Sequence, residues 1–375
     1  MSRALTGSGM RRLRLSGTLS GYIARQYCFW FVNFLFGLTG VIFLVSTVDL
    51  LDRLSSKSAS LGLVLKMVLL RLPHLSMEVM PFTILLAGLT CFWRLTRSHE
   101  LVVTRAAGVS IWQLLAPVVG VAVCVGLFSV MLLNPFASVL LGRFEQLEAR
   151  YIRNQPSTLS VSRNGLWLRQ ADEDGQSVIH AQRVTTDPMV LYGVIVFRFA
   201  GQDRFRERID ANRAELELHE WVLFNTRRSV PGQPPQDAGV IRMATDLTHE
   251  KIMDSFAPPE TISFWSLPGF IKLLENAGFS AVRHKLQFHR LLALPLLFSA
   301  MVLLAATFSL RPQRRGRVGL VILSGVLTGF MVYFVSNFVF ALGLSAKIPV
   351  VPAAWTPAGV CLLLGVAMLL HLEDG

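Results

Sequence analysis

Residues 28–48 read CFWFVNFLFGLTGVIFLVSTV, and none of them is charged. A hydrocarbon core is crossed by about 20 apolar residues in a helix, so this run predicts a transmembrane span over about 26–48. Arg3, Arg11, Arg12, Arg14 and Arg25 precede it without any acid, and Asp49, Asp52, Arg53 and Lys57 mark its exit. The run is too long for the apolar part of a signal peptide and has no clean small-x-small cleavage site. It therefore reads as an uncleaved first span.

Five further apolar runs follow. The second, about 65–93, carries Arg71, His74 and Glu78 toward its outer end, with Lys66 beside them and Pro73 and Pro81 as expected kinks. Those charges suit either snorkelling to headgroups or a polar edge on a substrate passage. The third run covers about 111–133, and Asn134-Pro135 is expected to break it. The last three cover about 286–310, 318–344 and 354–371. The chain thus divides into an N-terminal transmembrane half (1–135), a middle region (136–280) and a C-terminal transmembrane half (281–375).

Composition agrees. Of 375 residues, 52% are hydrophobic and 16% charged, against about 25% charged in ordinary soluble domains. The net charge of +12 invites a nucleic-acid reading, but its distribution excludes one. Residues 141–285 hold 18 basic and 18 acidic side chains, leaving 18 basic and 6 acidic for the remainder. That excess lies in short segments: +5 in 1–25, +2 in 94–105 and +4 in 311–317. This is the positive-inside pattern. It puts both termini in the cytoplasm and the middle region outside, which in a Gram-negative cell is the periplasm.

The middle region has a different texture. TLSVSRNGLWLRQ, SVIHAQRV, VLYGVIVFRFA, ELELHEWVLFNT and GVIRMATDL show partial period-two alternation between turn signals such as Asn164-Gly165 and Pro231-Gly232. One antiparallel sandwich or barrel-like domain is expected over about 156–255. Leu166, Leu168, Val194, Val196, Phe197, Leu216, Leu218, Val222 and Phe224 are its inward candidates. The four cysteines lie in the apolar runs, so no disulfide is expected in this domain.

Sites of enzyme chemistry are not evident. The sequence holds no GxxxxGK[ST], HExxH or GxSxG string, and no metal or cofactor site is expected. His74 and Glu78 share a helical face at i,i+4, which is thin support for a metal or proton site. His284 and His289 are spaced i,i+5 and align poorly. Between the second and third spans, HELVVTRAAG reads as a short amphipathic helix with Ser98 as N-cap, Glu100 in its first turn and Gly108 at its end. It is the one substantial structured segment expected in the cytoplasm.

Several strings resemble the LptF/LptG (YjgP/YjgQ) family of lipopolysaccharide export permeases. They are LPHLSMEVMPFTILLAGLTCFWRL at 72–95, SHELVVTRAAGVS at 98–110, NGLWLR at 164–169 and RPQRRGRVG at 311–319. The ending IPVVPAAWTPAGVCLLLGVAMLLHLEDG is more similar to the LptG branch. The resemblance implies an α-helical inner-membrane protein of six transmembrane helices with an inserted periplasmic β-jellyroll. It implies a non-catalytic subunit of an ABC transporter, paired with an LptF-like second permease. Two copies of a cytoplasmic LptB-like ATPase would consume the ATP and Mg. Lipopolysaccharide would be passed toward the LptC and LptA jellyrolls. A permease for another lipid or lipoprotein, or a periplasmic scaffold, remains as an alternative.

The resemblance also assigns residues. The 98–109 helix matches the family's coupling helix, with Glu100 at its start facing a basic residue of the ATPase or stabilising its own first turn. Arg105 would meet an acid or lipid phosphates, and Leu101, Val102 and Ala106 would give apolar contact. The family cavity lies along spans 1 and 5, which makes Phe31, Phe34, Leu38, Phe43, Phe330, Phe334 and Phe338 candidates, though ordinary packing would use them equally. Some LptG-like members carry a lysine late in the first span, where Ser46 stands here. Arg53, Lys57 and Lys66 are the substitute candidates for phosphate contact.

Overall fold

A computed structural model describes residues 17–54, 60–153, 159–162, 165–172, 175–186, 189–200, 204–217, 220–245, 257–310 and 318–374. Six helical rods in it are long and apolar enough to cross a membrane, and one antiparallel sheet is inserted between the third and fourth. The first rod is α1, Gly17–Leu54. The second is α2, Leu61–Arg97, capped at its start by the Ser60 side chain. Pro73 and Pro81 both lie inside this continuous helix. At 37 residues it measures about 55 Å, well beyond a hydrocarbon core of about 30 Å.

The third rod departs from expectation, because Asn134-Pro135 does not end it. Helix α4 (Ile111–Phe128) runs through a π-helical turn at Ser129–Leu133 into α5 (Asn134–Glu148). Proline lacks the N–H that an α-helix interior needs. Here it falls in the first turn of α5, directly after the wider π turn, where that donor is dispensable. The side chain of Asn134 is also used: its Oδ1 accepts a hydrogen bond from the Phe264 N–H at 2.8 Å. The rod extends from Ile111 to Ile152, about 63 Å, and carries the chain out to the sheet.

After the sheet, α6 (Leu267–Asn276) leads into α7 (Val282–Ser309), α8 (Val318–Leu344) and α9 (Val350–Asp374). The helix core centres on α2 and α7. Small residues bring them close: a Cβ on Gly88 would stand 2.7 Å from Ala305 Cβ, and one on Gly126 of α4 would stand 2.6 Å from Pro295 Cα. Ser309 Oγ donates to the Leu89 carbonyl and Thr96 Oγ1 to the Ser309 carbonyl, each at 3.1 Å. Such bonds contribute about 0.6–2 kcal/mol apiece between membrane helices.

The sheet is a meander in which β1 (Leu159–Ser162), β2 (Gly165–Asp172), β3 (Gly175–Thr186), β4 (Met189–Ala200), β5 (Arg204–Glu217), β6 (Glu220–Ser229) and β7 (Gln236–Ala244) pair in sequence order. Across its middle runs a crease. Ala181, Val194, Ala211 and Thr226 form one cross-strand row, and Val184, Leu191, Ala214 and Leu223 another, three residues further along each strand. All eight are buried. In a flat strand, positions i and i+3 face opposite sides, so the sheet must fold inward between these rows. Gly193 (φ +62°) and Asn225 (φ +53°) lie there in left-handed conformation.

The roll is closed at both ends. At one end Ile271, Leu274 and Phe279 from α6 and its exit join the apolar core. Val184 N–H donates to the Ala277 carbonyl at 3.1 Å. At the other end the inner face turns polar. Gln170, Ser177, Arg198 and Glu207 are successive cross-strand partners. Glu207, with its side chain 2% exposed, pairs with Arg198 at 3.2 Å and with Arg228. Gln170 Nε2 donates to the Ala244 carbonyl at 3.2 Å and its Oε1 accepts from Thr245 Oγ1 at 2.7 Å, so β2 meets the end of β7.

Of the inward candidates, Leu166, Leu168, Val194 and Val196 line this core, with Leu216 packed against it. Val222 is buried, while Leu218 lies outside the described residues. Phe197 and Phe224 instead lie on the other face, covered by their cross-strand neighbours Arg208 and Arg213.

Candidate functional site

Helix α3 (Glu100–Ala106) stands between α2 and α4, at the opposite end of the third rod from the sheet. Its entry differs from the expected cap. Ser98 terminates α2, its Oγ donating to the Arg94 carbonyl at 3.0 Å. The N-cap position belongs to His99, whose φ of +62° makes the sharp turn and whose side chain caps nothing. At the exit, Gly108 is left-handed (φ +84°). Its N–H bonds the Arg105 carbonyl at 2.9 Å and the Val109 N–H bonds the Thr104 carbonyl at 3.3 Å. This pair of bonds is a Schellman closure, so Gly108 ends the helix as the sequence indicates.

The apolar side chains of α3 divide between two faces. Leu101 is buried in the core formed by α1, α2 and α4, so its surface is spent inside the chain. Val102 and Val103 are 62% and 69% exposed, and Arg105 and Ala106 are exposed beside them. Glu100 is half-buried and interacts with the Tyr22 hydroxyl of α1. Val103 was not singled out from sequence. Its signal was available, since a valine pair in a seven-residue helix cannot turn both members to one core.

A second region comprises α1 and α8, the two rods that bury least of themselves. On α8, Phe330, Phe334 and Phe338 recur at i,i+4 and are all exposed. On α1 the residues named from sequence lie elsewhere. Phe31 is buried and stacks on Tyr27, and Phe34 packs against the helix core. Leu38 is half-buried, and Phe43 packs against the cluster formed by Leu50, Met67 and Phe144. The exposed face of α1 is formed by Phe29, Val32, Phe36, Val41, Leu44 and Val48.

The charged candidates are dispersed. Arg53 pairs with Asp49 at 3.1 Å on the exposed end of α1, and Lys66 is exposed on α2. Lys57 and the arginines of 311–317 lie outside the described residues. Arg71 sets its guanidinium over the Phe144 ring, 5.3 Å from the centroid. His74 and Glu78 approach to 3.5 Å. His284 faces the Ala257 carbonyl and His289 the Trp355 indole, so they share no site.

A family model described as "Lipopolysaccharide export system permease LptF/LptG" matches residues 21–371. The chain belongs to the LptF/LptG family. The chain is similar to the lipopolysaccharide export system permease protein LptG of Escherichia coli K12, at 25% identity over 95% of this chain and 98% of that protein. The protein of the same name from Haemophilus influenzae is also 25% identical, over 74% of this chain and 77% of its own length. The LptF/LptG match accounts for the architecture: six apolar rods in a multi-pass inner-membrane permease, with an antiparallel sheet inserted after the third.

Proposed function

We propose that this chain is the LptG-type subunit of an ATP-driven complex that extracts lipopolysaccharide from the inner membrane. The family match over 21–371 carries the reading. Both termini and α3 would lie in the cytoplasm and the sheet in the periplasm, as the cationic short segments favour. An LptF-like partner would face α1 and α8, closing a cavity lined by Phe36, Phe330, Phe334 and Phe338. Lipopolysaccharide would then move toward LptC- and LptA-like jellyrolls without exposing its acyl chains to water, which would cost about 0.8 kcal/mol per CH₂.

The ATPase would act on α3. Val102 and Val103 present an apolar contact, with Glu100 and Arg105 giving it polarity, and Leu101 transmits the load into the α1–α2–α4 core. Glu100→Ala and Val103→Asp test this in the full complex. Each is expected to reduce co-purification of the ATPase and lipopolysaccharide release by about tenfold, the effect of one buried contact. Association and release unchanged in both variants would reject α3 as the coupling element. Photo-crosslinking from Phe334 identifies the cargo by mass, and a captured lipoprotein would favour a different substrate.

A further inference from the structure

Helix α8 is anchored at two places. Gly325 and Gly329, one turn apart, press its backbone onto α2: a Cβ on them would stand 2.2 Å from Leu89 Cδ1 and 2.7 Å from Leu85 Cδ2. Near the sheet-side end, a Cβ on Gly343 would stand 2.6 Å from Ala353 Cβ of α9 and 3.0 Å from Leu286 Cδ2 of α7. Two hollows adjoin beneath the span, in the region of these anchors. One is mostly apolar and carries Glu78, Arg290, Tyr333, Ser336 and Asn337 in its wall. The other, about 410 Å³, is walled by apolar side chains of α8 and α9, including Met331, Val335, Val360 and Leu364. Val332 and Pro357 line both. They share a wall, and the volume of the greasy slot lies in the ligand-binding range of about 300–1,000 Å³.

The few polar groups of the first hollow are incompletely matched. Arg290 lies eight residues into α7, about 12 Å from its start. Its guanidinium rests on the Phe340 ring, 5.2 Å from the centroid, and its charge acts on Glu78 without a close ion pair among the described residues. A charge within a span is costly unless paired and points to a ligand. Ser336 Oγ is buried without a hydrogen-bond partner. Glu78 supplies the opposite charge, with its side chain 45% exposed beyond its contact to His74.

We infer that this crevice binds a glycerophospholipid with a zwitterionic head, the phosphoethanolamine type. Its phosphate meets Arg290 and the Ser336 hydroxyl, its ammonium turns to Glu78, and an acyl chain fills the slot between α8 and α9. The two signs of charge select this occupant. A head carrying both signs can meet Arg290 and Glu78 at once, which a lipid carrying phosphates alone cannot. The bound lipid is a fixed wedge beneath α8, whose outward face carries Phe330, Phe334 and Phe338, and is distinct from any exported cargo. The export reading stands or falls independently of it.

The test is lipid analysis of the full-length protein purified from membranes in mild detergent, followed by exchange against phosphatidylethanolamine, phosphatidylglycerol and lipopolysaccharide. Wild-type protein is expected to retain phosphatidylethanolamine. Arg290→Gln should lower retention about tenfold, the effect of one charge-assisted contact, while Arg290→Lys keeps it. Glu78→Gln should erase the preference over phosphatidylglycerol. Val332→Phe, which puts bulk into the shared wall without touching a charge, should also expel the lipid and leaves the proposal testable if Arg290→Gln does not fold. Equal retention in wild type and Val332→Phe, or lipopolysaccharide or phosphatidylglycerol in place of phosphatidylethanolamine, would overturn the inference.

Discussion

Asn134 Oδ1 accepts a hydrogen bond from the Phe264 N–H at 2.8 Å, joining residues 130 positions apart in the chain. The side chain sits at the π turn of the third rod, and the amide belongs to the segment that returns from the sheet. Trp265 adds a second tie, its Nε1 donating to the Met131 carbonyl at 3.2 Å. The rod that carries the chain out and the segment that brings it back are thus fastened at one level. Replacing Asn134 with Leu leaves the Phe264 N–H unpaired in a partly buried site, at a cost of about 1 kcal/mol. The expected outcome is a lower melting temperature of the detergent-solubilised protein, with Trp265→Phe giving a smaller loss. An unchanged melt in Asn134→Leu would show that the bond holds nothing.

Gly278 controls the joint between the sheet and α7. Its φ is +87°, and a Cβ there would lie 1.8 Å from the Val184 carbonyl oxygen. Gly278→Ala combines left-handed strain of about 1–3 kcal/mol with a clash against backbone, which cannot step aside as a side chain can. The Val184–Ala277 hydrogen bond should break and α6 should leave the roll. Limited proteolysis checks this: cleavage within 267–281 is expected to accelerate in the variant and stay slow in wild type.

Glu207 is the acid of the polar row. Two arginines depend on it, and both are partly solvated, with side chains 24% and 48% exposed. Glu207→Gln removes the charge but keeps the shape, so the cost is set at about 1–3 kcal/mol by the lost charge-assisted bonds. The apolar core from Val196 to Trp221 should persist. Thermal unfolding followed by tryptophan fluorescence should therefore shift downward without a change in the native spectrum. A changed native spectrum would mean that the pair also sets the shape of the roll.

The fold was legible where physics acts locally. Twenty uncharged residues in a row admit few alternatives to a span, and Gly108 announces a helix end because only glycine takes its φ without strain. What failed depended on partners far away in sequence. Asn134-Pro135 resembles a helix break until a π turn and the Phe264 amide absorb it. Strand β5 runs through RFRERIDANR, whose charges on both faces mask its alternation. In the structure Arg208 and Arg213 lie over aromatic rings on the outer face, while Glu207 faces the interior between arginines of β4 and β6. The crease across β3–β6 breaks the period-two pattern on four strands at once, which is why alternation placed Phe197 and Phe224 inside. On α1, a span apolar all round gives no phase from sequence, so the face left open could not be chosen.

In the proposed topology α3 and the sheet stand on opposite sides of the membrane. Val103 on α3 and Val240 on β7 are both exposed, at 69% and 55%, and the four native cysteines all lie within apolar rods. Single cysteines at these two positions, probed in intact spheroplasts with a membrane-impermeant thiol reagent, make the decisive measurement. Position 240 should label from outside at once, and position 103 only after the membrane is permeabilised. Labelling of both from the same side, or of 103 alone from outside, would contradict the topology and the proposed action of an ATPase on α3.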